Sequence, residues 1–430
     1  FLSRTSNDHH SGSSRAMDFL KRITGAVSQV SPPIYHMNTI DHQNKPIVMI
    51  GSGLAAYTLI REYRKLNTEQ AITVVTQESG DFYSKPMLST AFASKKDAQQ
   101  LISTSAAKMM EQLNIQIHSY SNVSAIDPSN HSILLQIPDN KEHVLQYSKL
   151  VLALGADQIR LDITGDATDQ ILTVNDLQDY ADFRERITNI KSVLILGAGL
   201  IGCEFANDLS LGGYHVEVVD LADQVLGRLL PKEIAIELQS KLSDLGVVWH
   251  LGTSAKTVSR AEDGFEIGLA NGDVLHADCV LSAIGLRPRI NLAKLANIKT
   301  NRGIVVNRQL ETSIQGIYSL GDCAEVEGHV LPYVMPIMQA ARTLASILAG
   351  HDSVLTYPAM PVMIKTPALP LVVSPPASGS EGSWTIKPVE NGIEGLFYGP
   401  QSQLLGFALA GSATTQRASL TKLLPNILGE

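Results

Sequence analysis

The chain has 430 residues, enough for two to three domains at about 150 residues each. Hydrophobic residues make up 44% of it and charged residues only 18%, which excludes intrinsic disorder over most of the length. With 34 Lys+Arg against 42 Asp+Glu the net charge is −8, so the chain lacks the global basic field that nucleic-acid binding requires.

Three cysteines, Cys203, Cys279 and Cys323, stand far apart with no Cys-x-x-Cys. That excludes a redox pair close in sequence and a Cys-rich zinc site, and the odd count argues against a secreted disulfide framework. The 12 histidines show no metal-ligand spacing, and neither His-Glu-x-x-His nor Gly-x-Ser-x-Gly occurs. Metal and acyl-transfer chemistry therefore have no support.

Residues 1–44 are set apart by many serines, His9-His10 and Pro32-Pro33, and are expected to be an extension outside the fold, with Met37 a plausible start. Within them Met17 to Val30 is mildly amphipathic and carries Lys21 and Arg22, but lacks the apolar core of a signal peptide. The most apolar run, Ser192 to Ala206, is broken by Gly197, Gly199, Gly202 and Glu204 and falls short of about 18 clean apolar residues. These features predict a cytoplasmic protein without a membrane span.

Order is expected from Ile47-Val48-Met49-Ile50, a strand, followed by Gly51-Ser52-Gly53-Leu54-Ala55-Ala56. A helix follows, with Ala55, Leu59, Tyr63 and Leu66 on its inner face, and then a strand over Ile72 to Val75. Strand, Gly-rich turn, helix and strand make a parallel βαβ unit. The pattern returns at Val193 to Leu196, Gly197-Ala198-Gly199-Leu200-Ile201-Gly202, a helix with Ile201, Phe205 and Leu209 at spacing four, and a strand over Val216 to Val219. Leu150-Val151-Leu152-Ala153-Leu154-Gly155 likewise repeats as Val280-Leu281-Ser282-Ala283-Ile284-Gly285. The fold class is therefore α/β with two nucleotide-binding units of one plan. Phe265 to His276 reads as a hairpin closed by a two-residue Asn271-Gly272 turn. After about residue 355, short β-rich runs and a terminal helix over Thr414 to Leu424 form a separate α+β domain.

In each Gly-rich turn the first glycine allows the tight bend, the second lets backbone approach a pyrophosphate, and the third position permits close helix packing. The helix N-terminus then offers unpaired N–H groups to the phosphates. Candidate dinucleotide residues are Gly51, Ser52, Gly53, Leu54 and Ala55 in the first unit, and Gly197, Gly199, Gly202 and Gly285 in the second. An acid follows each second strand at the ribose-binding position: Glu78, in a loop crowded by Gln77, Ser79 and Asp81, and Asp220. An ordinary solvated acid is a serious alternative for Glu78. No Arg or Lys follows Asp220 in Leu221-Ala222-Asp223-Gln224, so NADH is favoured over NADPH.

With Arg302-Gly303-Ile304-Val305-Val306 and Ile317-Tyr318-Ser319-Leu320-Gly321-Asp322-Cys323-Ala324, the chain resembles the FAD-dependent pyridine-nucleotide oxidoreductases. Tyr83-Ser84-Lys85-Pro86-Met87-Leu88-Ser89-Thr90, Ile201 to Leu209, Lys365-Thr366-Pro367 and Leu371 to Pro376 are similar to the rubredoxin reductases of that family. The likeness covers about residues 45–430. It implies FAD bound by Lys85, Val123, Glu204, Asp322, Val334 and Lys365, with no strictly required catalytic acid or base. It also implies electron transfer from NADH to rubredoxin, supply of an alkane hydroxylase, and docking of an acidic rubredoxin through a local basic patch. Implied boundaries are 45–157 and 283–355 for the FAD domain, 158–282 for the NAD domain and 356–430 for the C-terminal domain.

Two departures matter. Asp81 to Thr90 contains no cysteine where disulfide-reductase relatives place one, and Thr90 stands where ferredoxin-reductase relatives place a lysine that pairs with the acid matching Glu204. Lys85 or Lys365 is expected to replace that lysine and tune the flavin. All three cysteines are expected to act as small buried hydrophobes. A ferredoxin reductase, an NADH oxidase, and a flavin-binding redox sensor with little turnover remain the alternatives.

Overall fold

In the computed structural model residues 45–429 are described. The expectations for residues 1–44 lie outside the described residues. Two parallel sheets of one plan form the body. The first runs in the order Ile317–Ser319, Lys149–Leu152, Ile47–Ile50, Ile72–Val75 and Gln116–His118. The second runs Val248–Leu251, His215–Asp220, Ser192–Leu196 and Cys279–Ser282. In both, the strand before the Gly-rich turn lies in the sheet interior. All four residues of Ile47–Ile50 are buried, which is why these strands read as unbroken apolar runs rather than alternating ones.

The repeat extends further than the glycine turns. Each unit carries a three-stranded antiparallel meander, over residues 122–146 in the first and 255–277 in the second. Each returns to its parallel sheet through the strand that ends in Ala-x-Gly. The two short strands that follow, Ala156–Gln158 and Leu286–Pro288, pair antiparallel and carry the chain across between the sheets. Since Ile317–Ser319 pairs with Lys149–Leu152, the first sheet is assembled from segments on both sides of the second in sequence.

Helices Leu54–Arg64 and Val334–Leu348 share the core over one face of the first sheet, with Met49, Leu59, Ile60 and Leu344 fully buried. The core of the second unit is joined to two other regions. Phe92, Phe183 and Phe205 meet at ring-centroid distances of 5.1, 5.9 and 6.1 Å. They tie the segment after Lys85 to helices Leu177–Ile187 and Leu200–Leu211. Each is at most 2% exposed, and burying such a ring contributes about 1.5–3 kcal/mol. Leu371, Val373, Ala408 and Ala410 of the C-terminal sheet belong to the same core. That sheet is five-stranded and antiparallel, with Val362–Ile364 on one edge.

Several local expectations are corrected. Leu66 is 50% exposed because the helix stops at Arg64, before its last turn could bring Leu66 inward. Ile201 is 37% exposed, while every residue from Gly202 to Leu209, Phe205 and Leu209 included, is buried. The Asn271-Gly272 hairpin has a three-residue loop. Gly272 N–H bonds Leu269 O and Leu269 N–H bonds Asp273 O, and of the loop residues only Gly272 has a positive φ, 92°, a type I turn followed by a bulge. The terminal helix is a 3-10 turn, Ser412–Gln416, and five α residues, Arg417–Thr421. The strand Gly392–Tyr398 carried no sequence signal, since its Gly392 and Gly395 break the apolar alternation.

Candidate functional site

The two Gly-rich turns divide labour among their glycines as the spacing requires. Gly51 and Gly197 have φ of 112° and 108°. A Cβ on Gly51 would meet Ala153 O at 2.2 Å, and one on Gly197 would meet Ala283 O at 2.7 Å. The alanine of each Ala-x-Gly strand thus packs on the first glycine of its own unit. A Cβ on Gly53 or Gly199 would meet nothing within 4 Å, so backbone there faces open space. The third position differs between units. A Cβ on Gly202 would lie 1.9 Å from Gly197 O, whereas the first unit accommodates Ala56 fully buried. Helices Leu54–Arg64 and Leu200–Leu211 begin at Gly53 and Gly199 with no side-chain cap, leaving N–H groups and the positive dipole end for an anion. These open cradles fit two dinucleotide pyrophosphates.

Asp220 ends its strand with its carboxylate turned back on the turn. Oδ2 accepts the Ala198 N–H at 2.5 Å and Oδ1 accepts the Ala222 N–H at 2.7 Å. Gly285 has a φ of 119° and faces Ile159 Cδ1.

Around Glu78 the structure separates the crowded acids. Asp81 accepts from Ser79 Oγ at 2.8 Å and from Ala106 N at 2.7 Å, while Glu78 Oε2 accepts the Tyr83 hydroxyl at 3.0 Å. Burial, then Asp176, pushes the Glu78 carboxyl up, against the Tyr83 bond, Lys85 and Arg289. Burial pushes Lys85 down and Asp322 opposes it; Asp322 is pushed up by burial and opposed by Lys85. The half-buried Lys85 thus feels the charges of both Asp322 and Glu78, and Gly321, next to Asp322, abuts Ala55 of the first turn. Val123, at the start of Asn122–Asp127, is buried. It is held near the end of Ile72–Val75 by the Ser121 N–H bond to Thr76 O. Val334 is the half-exposed first residue of the 15-residue helix Val334–Leu348.

Glu204 is fully buried on helix Leu200–Leu211. Of the two expected partners, Lys365 reaches it: Nζ lies 2.8 Å from Oε2, with the lysine side chain 34% exposed. Lys365 backbone N–H bonds Oε1 at 3.0 Å, and the ammonium also donates to Pro86 O and to Ser89 Oγ. For Lys85 the charge acting most strongly is Asp322 instead. Thr90 bonds Met87 O locally.

Sequence reasoning missed the other buried polar groups of that helix. Asp208 Oδ2 accepts the Phe92 N–H at 2.6 Å, and Asn207 Oδ1 accepts the Ala368 N–H at 3.1 Å. Glu204, Asn207 and Asp208 at i, i+3 and i+4 form one polar face within an apolar helix, a pattern that could have flagged them. Tyr83, Ser89 and Asp176 carried no such signal. All three cysteines are free and buried, and burial raises their thiols, Cys279 to about 12.

Residues 45–344 match the family model described as pyridine nucleotide-disulphide oxidoreductase. The chain belongs to that family, and its buried, unpaired thiols set it apart from the disulphide chemistry in the family's name. Residues 354–424 match a model described as a rubredoxin binding C-terminal domain. The chain is 48% identical over 384 residues to the rubredoxin-NAD(+) reductase of Alcanivorax borkumensis, covering 89% of this chain and 99% of that one. It is also 48% identical to the rubredoxin-NAD(+) reductase of Acinetobacter baylyi, covering 89% and 98%. Among solved structures, the ferredoxin reductase for the CYP199A2 system from Rhodopseudomonas palustris superposes with a TM-score of 0.80 at 26% identity, covering 89% of this chain and 96% of that one. Among the described residues no helix is long and apolar enough to cross a membrane.

Proposed function

We propose that this chain transfers electrons from NADH through FAD to rubredoxin. The observation that carries the reading is the Lys365–Glu204 contact. It joins the segment that resembles a rubredoxin-binding domain to the helix that would hold NADH. FAD, when bound, supplies the conversion between a two-electron donor and a one-electron acceptor.

The chain's own residues bind and orient. The N–H groups behind Gly51, Ser52, Gly53, Leu54 and Ala55 hold the FAD pyrophosphate, Glu78 its ribose, and Lys85 and Asp322 its polar middle. Val123 and Val334 would contact FAD as well. Gly199 would receive the NADH pyrophosphate, with Gly197 making the bend and Gly202 the close helix packing, beside Gly285. The Asp220 carboxylate binds ribose hydroxyls and repels a 2′-phosphate. Glu204 and Lys365 fix the charge beside the flavin. Residues 45–157 and 283–355 serve as the FAD domain, 158–282 as the NAD domain and 356–430 as the acceptor domain. There the exposed Arg417, whose Nη1 lies 3.0 Å from Met363 Sδ, offers a cation to an acidic partner. A cytoplasmic location and supply of an alkane hydroxylase complete the proposal.

The test is anaerobic. NADH, and not NADPH, bleaches the visible absorption of the bound flavin, and oxidised rubredoxin restores it. Bleaching without recovery on adding rubredoxin overturns the acceptor and favours the redox-sensor reading.

A further inference from the structure

The Glu204–Lys365 pair has a third member. Ser89 is 3% exposed, and its hydroxyl lies 2.6 Å from Glu204 Oε2. The same oxygen faces Pro86 O at 3.4 Å. One hydroxyl proton serves one acceptor well, and the short bond to a carboxylate is the stronger. Ser89 Oγ also accepts from Lys365 Nζ at 3.3 Å. Ser89, Glu204 and Lys365 thus close a ring of hydrogen bonds. They come from three separate parts of the chain, each at a point the others cannot reach through local structure.

The ring determines where the lysine charge sits. An ammonium has three donors, and here they go to Glu204 Oε2, Ser89 Oγ and Pro86 O. Lys365 lies just beyond the edge strand Val362–Ile364 and is one-third exposed, so without the ring it could turn to solvent. Glu204 cannot turn, being fully buried on its helix. Ser89 supplies a second donor to the one carboxylate oxygen that also bears the ammonium, and so damps its negative charge while holding the ammonium over it.

We propose that Ser89 is a positioning residue for electron transfer, fixing the Glu204–Lys365 pair and thereby the charge that the flavin meets. The inference rests on the reading that this pair lies beside bound FAD. Because Ser89 acts through the pair, its loss changes the flavin's redox potential and the rate of its reduction, not the affinity for NADH. Loss of a hydrogen bond to a charged group amounts to about tenfold in rate.

The experiment compares the FAD-loaded wild type with Ser89→Ala, Ser89→Thr and Lys365→Met, reading midpoint potential, reduction rate at saturating NADH, KM for NADH and melting temperature. Expected for Ser89→Ala are a lower potential, about tenfold slower reduction and an unchanged KM. Ser89→Thr, which keeps the hydroxyl, restores potential and rate. Should Ser89→Ala not fold, Ser89→Cys, with a weak donor of similar volume, carries the test and is expected to fall between alanine and wild type. A lowered melting temperature with potential and rate unchanged makes Ser89 merely structural and overturns the proposal. If Lys365→Met also leaves the potential unchanged, the pair does not act on the flavin and the underlying reading fails as well. If Lys365→Met shifts it and Ser89→Ala does not, only the role of Ser89 is lost.

Discussion

Lys365 Nζ stands 2.8 Å from Glu204 Oε2 across 161 residues of chain, in place of the lysine that Thr90 does not supply. The carboxylate is wholly buried, so it cannot exchange this partner for water. Lys365→Met leaves a buried, uncompensated charge and is expected to destabilise the fold by about 2–3 kcal/mol. That is below the loss for a fully enclosed pair because the lysine is 34% exposed. The double variant Glu204→Gln/Lys365→Met should recover much of that loss. Denaturant melts in a double-mutant cycle check both, and additive effects would show that the two side chains are not coupled.

The two glycines of the second turn should fail differently. At Gly199 a side chain meets no protein atom but occupies the space that the proposed function gives to the NADH pyrophosphate. Gly199→Val is therefore expected to keep its melting temperature and bound flavin while weakening NADH at least about tenfold. Gly202→Ala puts a methyl 1.9 Å from Gly197 O and is expected to cost roughly 1–3 kcal/mol of stability. Melting curves and NADH titrations of both variants separate the outcomes. Equal loss of stability would show that the open space at Gly199 is structural.

In the proposed function Asp220 sets coenzyme choice; its carboxylate is held by the Ala198 and Ala222 N–H groups. Asp220→Ala is expected to lower kcat/KM for NADH by about ten- to a hundredfold. It should leave NADPH turnover nearly unchanged, because relief of the repulsion toward the 2′-phosphate offsets the missing hydrogen bonds to the ribose. Steady-state kinetics with both coenzymes decides it; an undiminished preference for NADH would move the discrimination elsewhere.

Asp179 gives the fold a pH dependence. Burial, then the neighbouring Asp176, pushes its carboxyl up to about 7, against about 3.9 in an unfolded chain. Between those values the folded state holds a proton that the unfolded state has lost, so stability falls as pH rises from about 4 to about 7 and levels off above. Asp179→Asn should flatten that part of the profile. Melting temperatures at about pH 5 and about pH 8 test it, and an unchanged slope in the variant would assign the effect to another group.

The parallel sheets and both glycine turns were legible in the sequence because their constraints are local. A strand buried on both faces has to be apolar at every position, and a turn with φ above 100° at Gly51 and Gly197 demands glycine. The site was legible only in part. Glu204 was visible as an acid in an apolar helix, and the resemblance narrowed its partner to Lys85 or Lys365 without deciding between them. No spacing rule links residue 365 to residue 204; the packing of the C-terminal sheet against the second unit brings them together. Ser89 was silent for the same reason, a small polar residue whose meaning comes from two distant neighbours. The short terminal helix and the three-residue hairpin loop were misread where one backbone bond decides between neighbouring forms.

The most direct measurement of the account uses the NADH-reduced, FAD-loaded protein under anaerobic conditions, mixed with rubredoxin and, separately, with a [2Fe–2S] ferredoxin at equal concentration. The second-order rate of electron transfer is expected to be larger for rubredoxin. A larger rate for the ferredoxin would contradict the account.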